Sequence, residues 1–110
     1  MSAVIHLRGS AFDVVVDLSH GVPTIVHWGA PIDDPAAVAP ALDRPLVHGL
    51  PDRIAPVSIV PEHAAGFTGR PGLLGHRRRG THWAPRFEPG EHQLDGSRLV
   101  AVAHDPVAAL

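Results

Sequence analysis

The stretch from residue 61 to residue 87, PEHAAGFTGRPGLLGHRRRGTHWAPRF, most constrains what this chain can fold into. It contains five glycines, three prolines, five arginines and three histidines. Because glycine frees the backbone and proline fixes it, a run of this composition does not continue a helix or a strand. It therefore predicts a long, shaped surface loop, which is the kind of segment where binding functions concentrate.

Alternating apolar residues near the start of the chain predict three β-strands. In the second of these, Phe12, Val14, Val16 and Leu18 share one face, with Asp13 on the other. A period of two with β-branched residues is typical of a strand that is buried on one side. The predicted strands cover residues 3–8, 12–18 and 23–28, with turns at Gly9-Ser10 and His20-Gly21.

The rest of the chain predicts little helix. Asp34 is a suitable N-cap residue, and Pro35 is suited to the first position of a helix. Pro40 would interrupt that helix, so residues 31–45 are predicted to form one turn or a loop. Residues 57–60 predict a short fourth strand. Residues 98–104, RLVAVAH, predict a strand buried on both faces. These elements indicate an all-β fold, specifically a β-sandwich.

The final residues 105–110, DPVAAL, resemble the opening of a further element. Five or six strands with no helical partner also form a poor core. We therefore expect residues 1–110 to be one partial N-terminal β-sandwich domain of a longer chain. The alternative is a small sandwich that is complete as it stands.

Composition excludes several classes of function. The 110 residues carry a formal net charge of −2, which gives no bulk field for nucleic acid or an anionic membrane. Cysteine is absent, so disulfides and thiolate chemistry are excluded. No apolar run approaches the roughly 18 residues of a membrane span, and no basic-then-apolar leader opens the sequence. We expect a soluble cytoplasmic protein that binds neither nucleic acid nor membrane.

The sequence shows no self-contained catalytic or metal site. The chain has nine histidines, but there is no HExxH motif and no pair four residues apart on a helix, so neither metal nor cofactor is expected. Asp13 and Asp17 are interpreted as a solvent-facing pair, and Asp33 and Asp34 as helix-cap chemistry. The basic run of residues 77–79 predicts a solvated loop, or a set of arginines that pair with carboxylates of another domain or subunit.

The order of several short motifs resembles the N-terminal domain of the bacterial α-galactosidases of glycoside hydrolase family 36. The resemblance covers residues 3–104. It is carried by HWG at residues 27–29, VSIVPE at residues 57–62, GFTGRPGL at residues 66–73, HW at residues 82–83 and PRF at residues 85–87.

The resemblance implies a β-supersandwich domain that precedes a catalytic (β/α)₈ barrel located beyond Leu110. Family members hydrolyse terminal α-galactosides of the melibiose and raffinose type with retention, using two Asp residues of the barrel. No catalytic residue is therefore carried onto this chain, which alone is expected to be inactive. The family is often tetrameric, so a homo-oligomer is expected.

The resemblance also implies a substrate-proximal loop. In such assemblies a loop of this domain reaches the mouth of a neighbour's active site, and the corresponding loop here is residues 67–73. Some members carry an acidic residue there that touches the sugar, where this chain has Arg70. Phe67 or Trp83 would instead form an apolar wall. The alternative is that the loop packs on its own barrel and fixes domain orientation.

A second hypothesis treats the chain as a free-standing β-sandwich module that binds carbohydrate or a protein partner. The Gly-rich loop and Trp83 would then form the binding surface.

Overall fold

The computed structural model describes residues 4–37 and 58–110. These residues form two antiparallel sheets and three single turns of 3₁₀ helix, with no α-helix. The predicted all-β class is therefore confirmed. Among the described residues, no helix is long and apolar enough to cross a membrane.

The first sheet contains the three predicted strands: β1 (Val4–Arg8), β2 (Asp13–Asp17) and β3 (Thr24–Gly29). They are ordered β1-β2-β3, with each neighbouring pair antiparallel. Short connections between consecutive strands produce this meander directly.

The alternation predicted for β2 is only partly correct. Val15 and Val16 are both buried although they are consecutive, and Phe12, which the alternation assigns to the apolar face, is 49 % exposed. A bulge lies opposite these two valines in β3, because Val15 pairs with His27 and Val16 with Ile25, which leaves Val26 as the extra residue. The buried apolar side chains of the described residues are Val15, Val16, Leu18, Val22 and Ala108.

Asp13, predicted to face solvent, is a buried carboxylate that fixes the end of this sheet. Its Oδ2 lies 2.7 Å from Nε2 of His6 and accepts a hydrogen bond from the Ile32 amide at 3.1 Å. The Gly9 amide donates to Oδ1 at 3.4 Å. One side chain thus ties β1, the first turn and the segment after β3 together.

These contacts set the ionisation of Asp13. The hydrogen bond from His6 holds the pKa of the Asp13 carboxyl below its ordinary value. The Ile32 and Gly9 amides lower that pKa further, while burial acts in the opposite direction.

The second sheet is a two-stranded ribbon of β4 (Glu88–Asp95) and β5 (Arg98–His104). The sequence did not predict β4, because Pro89, Gly90 and its polar residues disfavour a strand. A register shift between Pro89 and His92 accommodates them. The hairpin turns at Gly96-Ser97, where Gly96 has φ 57°, a left-handed conformation that suits glycine.

Two other strand predictions need correction. Residues 58–60 do not form the predicted strand, and residues 59 and 60 form a bend instead, although the Ile59 amide donates to Pro23 O at 2.9 Å. Residue 57 lies outside the described residues. β5 is a strand as predicted, but it is not buried on both faces. Its alternate residues are exposed, including Val100 and Val102, because no second layer covers that face in the described part of the chain.

The segment after β3 contains the predicted helical turn. Pro35–Ala37 form one turn of 3₁₀ helix, and Asp34 Oδ1 accepts a hydrogen bond from the Ala36 amide at 3.1 Å, as the capping pattern predicts. Residues 38–45 of the predicted loop lie outside the described residues. Residues 105–110 form a turn in which Asp105 and Leu110 exchange two backbone hydrogen bonds.

We expect the Asp13 contacts to give the chain an acid-sensitive stability. Because the folded pKa of Asp13 is lowered, its contribution is fully present above the unfolded-state pKa of about 3.9 and is lost as the pH falls through the folded value. Asp13→Asn should lower the melting temperature by several degrees at neutral pH. Its stability should also fall less steeply than the wild type's below about pH 4, measured by thermal melts across pH.

The matched control for this experiment is Asp33→Asn, which changes an exposed carboxylate in the same sheet-end region. It should follow the wild-type curve. An Asp13→Asn melting curve that is identical to the wild type at every pH would contradict the assigned role.

Candidate functional site

The segment 61–87 is an irregular loop, as predicted, and its first turn is built around Glu62. The backbone oxygen of Glu62 accepts hydrogen bonds from the Ala65 and Phe67 amides, both at 3.2 Å. His63–Ala65 form a 3₁₀ turn that ends at Gly66, whose φ of 95° requires glycine. The chain therefore reverses direction before Phe67.

Phe67 and Trp83, two of the three predicted substrate-proximal residues, both lie beside the His63 side chain. His63 Nδ1 lies 2.9 Å from Phe67 O, and the His63 ring lies 6.0 Å from the ring of Trp83. The Phe67 ring lies over Gly69, where an added Cβ would approach its ring atoms to 2.6 Å. Arg70 is exposed and makes no hydrogen bond or ion pair among the described residues.

Trp83 borders a shallow groove. Its cavity volume is only about 10 Å³, room for about one water molecule, and its lining includes Val60, His63, Leu73 and Phe87. Ligand pockets that enclose a small molecule usually exceed about 300 Å³. The groove therefore does not enclose a ligand. It offers one apolar wall, which is the Trp83 side chain, 62 % exposed.

Two buried carboxylates hold the end of the loop. Glu62 Oε2 accepts a hydrogen bond from the Phe87 amide at 3.0 Å, and Asp105 Oδ2 accepts one from the Arg86 amide at 2.9 Å. Both carboxylates are less than 9 % exposed. Sequence reasoning missed both anchors. Asp105 carried a usable signal, since an Asp directly before a proline favours a turn of the kind seen here.

Asp105 also organises the final turn. Its Oδ1 accepts hydrogen bonds from the Val107 and Ala108 amides at 2.8 and 2.9 Å. The Ala108 amide, followed by that of Arg86, holds the pKa of the Asp105 carboxyl below its ordinary value, against the opposing effect of burial.

The basic run forms a hydrogen-bonded turn that begins at Arg77. The Arg77 amide donates to Thr81 O at 2.8 Å, and the Arg77 guanidinium donates to Ala108 O and Ala109 O at 3.0 and 3.2 Å. Arg79 has a φ of 62°, which is uncommon for a residue other than glycine. Arg78 and Arg79 are exposed, and within residues 4–37 and 58–110 no arginine pairs with a carboxylate.

The histidines of the loop do not converge. His63 contacts Phe67 O, while His76 contacts Arg77 O at 2.8 Å on another part of the loop. In the part of the chain that the structure describes, no group of three His, Asp or Glu side chains is placed to hold a metal ion.

Comparison with known proteins gives one relationship. The chain is 29 % identical to an α-galactosidase of Escherichia coli over 115 aligned positions, which cover all of this chain and 15 % of that protein. No protein-family model matches the chain. No solved structure matches it either.

The match supports a relationship to α-galactosidases. It also means that the chain spans about one seventh of the length of the relative it matches. A segment of this length, in an all-β fold, is consistent with a non-catalytic part of a glycosidase.

We expect the Glu62 anchor to control the order of the whole loop. Glu62→Ala leaves the partly buried Phe87 amide without its acceptor, which should cost about 1–3 kcal/mol of stability. Trypsin should then cleave after Arg78 and Arg79 several times faster than in the wild type, measured by mass spectrometry over time. Glu88→Ala, which removes an exposed carboxylate of β4, is the control. Equal cleavage rates in the two variants would rule out the anchoring role.

Proposed function

We propose that this chain is the N-terminal, non-catalytic portion of an α-galactosidase. The observation that carries the proposal is the alignment, which runs through the whole chain yet covers only 15 % of the E. coli α-galactosidase. In this proposal residues 1–110 are part of a β-sandwich domain, and a catalytic barrel supplies the chemistry. The substrates are terminal α-galactosides of the melibiose and raffinose type, cleaved with retention.

The state of the buried carboxylates supports a non-catalytic role. A retaining glycosidase needs two carboxyl groups about 5 Å apart that face the substrate. The three buried carboxylates of the described residues, Asp13, Glu62 and Asp105, each accept hydrogen bonds from backbone amides instead. Their oxygens stabilise turns and loops, so the role of these carboxylates is structural.

The loop is proposed to connect this domain to another part of the protein. The amides at the end of the loop donate hydrogen bonds to Glu62 and Asp105. Its basic turn is joined to the final turn of the chain by a hydrogen bond from Arg77. A hydrogen-bonded turn that exposes Arg78 and Arg79 is suited to pair with carboxylates of a neighbouring domain or subunit. The enzyme is further proposed to be a cytoplasmic homo-oligomer.

The purified 110-residue chain should not hydrolyse nitrophenyl α-galactoside. The reason is that the catalytic carboxylates are supplied by the barrel in this proposal. The measurement is release of nitrophenol at high protein concentration, with the E. coli α-galactosidase as the positive control. Robust turnover by the chain alone would refute the proposal.

The proposal also requires a longer native protein. An antibody against residues 61–87 should detect, in lysate of the source organism, a polypeptide several times heavier than the 11.6 kDa chain. A single band at 11.6 kDa would instead favour a free-standing module.

The second candidate function is a sugar-binding module, favoured by the exposed Trp83 beside its groove. The two functions differ in a tryptophan fluorescence titration with galactosides. We expect no saturation in the micromolar range for the wild type. Saturation at micromolar galactoside that is abolished by Trp83→Ala, but retained in Trp28→Ala, would establish the module. Trp28 is a matched control because it is 68 % exposed and lies on β3, outside the loop that carries Trp83.

A further inference from the structure

Strand β5 has an edge with no hydrogen-bonding partner among the described residues. The ribbon contains only β4 and β5, so one edge of each strand is unpaired. The two-residue loop closes on Asp95 and Arg98, which pair with each other. In a hairpin with a two-residue loop, the residues that flank the loop exchange both backbone hydrogen bonds. Because bonding directions alternate along an antiparallel strand, the outward N–H and C=O groups of β5 belong to Leu99, Ala101 and Ala103.

The two edges of the ribbon differ in how well they resist pairing. The β4 edge carries Pro89, which has no N–H, and a bulge between Pro89 and His92. Both features hinder the pairing of an edge strand with another strand. The sequence of β5, RLVAVAH, contains no proline, glycine or lysine, and its register against β4 is regular from Arg98 to Ala101. The β5 edge is therefore an open template.

We propose that two copies of this chain associate by antiparallel pairing of their β5 edges. The two ribbons then form one four-stranded sheet with a two-fold axis at Ala101. In this register Ala101 faces its own copy, and Leu99 faces Ala103 of the second copy. These are the residues whose backbone groups point outward, so every pair on the seam exchanges hydrogen bonds.

The side chains of β5 fit this self-pairing. Val100 and Val102 are 43 % and 55 % exposed in the single chain. Across the seam, Val100 of each copy lies opposite Val102 of the other copy. The four valines form one apolar cluster, which is a favourable cross-strand arrangement. Any other register of the two strands shortens the overlap of the seven-residue strand and separates some of the valines.

The charges of the ribbon are compatible with the same register. Arg98 lies opposite Asp95 within the ribbon, and His104 lies opposite Glu88. Across the seam Arg98 faces His104 of the second copy, so both carboxylates remain on the outer strands. No two carboxylates and no two guanidinium groups lie directly opposite each other. A two-fold contact of this kind closes on itself and yields a dimer rather than a filament.

The first test is sedimentation velocity of the full 110-residue chain across micromolar concentrations. It does not depend on the proposed function, because it measures only self-association. We expect twice the 11.6 kDa mass of the chain. Val102→Lys should weaken the dimer about tenfold or more, because it places a charge at the seam. Val107→Lys, which changes a 76 % exposed valine outside β5, should leave it intact.

Three outcomes of that test would overturn the proposal. The first is a wild-type monomer at all concentrations, which would mean that another segment covers the edge or that the edge stays open. The second is a Val102→Lys variant that dimerises like the wild type. The third is an open-ended series of larger oligomers. Circular dichroism of each variant establishes that the strands are still formed.

The second test locates the two-fold axis. The chain has no cysteine, so a single introduced cysteine can carry a spin label. Each strand rises by ~3.4 Å per residue. With the axis at residue 101, the distance between equivalent residues of the two copies therefore grows by about 7 Å for each residue away from the axis. Labels at His104→Cys should lie about 20 Å apart, and labels at Ser97→Cys about 27 Å apart. A dimer in which the Ser97 separation is the shorter of the two would place the contact elsewhere and overturn the proposal.

Discussion

The loop from residue 61 to residue 87 depends on one arrangement, in which Glu62 and Asp105 accept hydrogen bonds from two consecutive amides, Phe87 and Arg86. The first carboxylate lies at the start of the loop and the second beyond β5. Together they close a long glycine-rich segment that has few apolar side chains of its own to pack. For Asp105, the hydrogen bonds from backbone amides favour the charged carboxylate and hold its pKa below the ordinary value.

A similar arrangement occurs in the first sheet, where Asp13 joins β1 to the segment after β3. This matters because the described residues bury only five apolar side chains, which is a small core for a chain of this size. Polar ties of this kind do not replace a core. They hold turns and loops in place around a modest one, and removal of a single acceptor leaves an amide without a partner.

The all-β class, the first three strands and the irregular loop were predictable from local signals, since period-two alternation and the Gly/Pro content act over a few residues. The second sheet was predicted only in part. β5 was predictable because residues 98–104 are apolar almost throughout. β4 was not predicted, because Pro89 and Gly90 disfavour a strand unless the partner strand and the bulge are known. The predicted site residues divide similarly: Phe67 and Trp83 meet at His63, while Arg70 remains apart on the surface.

The sequence by itself determined the fold class, the position of the loop and the resemblance to α-galactosidases, to which the alignment with the E. coli enzyme adds support. Only the tertiary structure decided that Asp13, Glu62 and Asp105 are structural carboxylates, and that one edge of β5 lacks a partner in the described residues. The physical reason is that burial and hydrogen-bond partners join residues 19 to 25 positions apart in these cases, a separation at which no local pattern specifies contact.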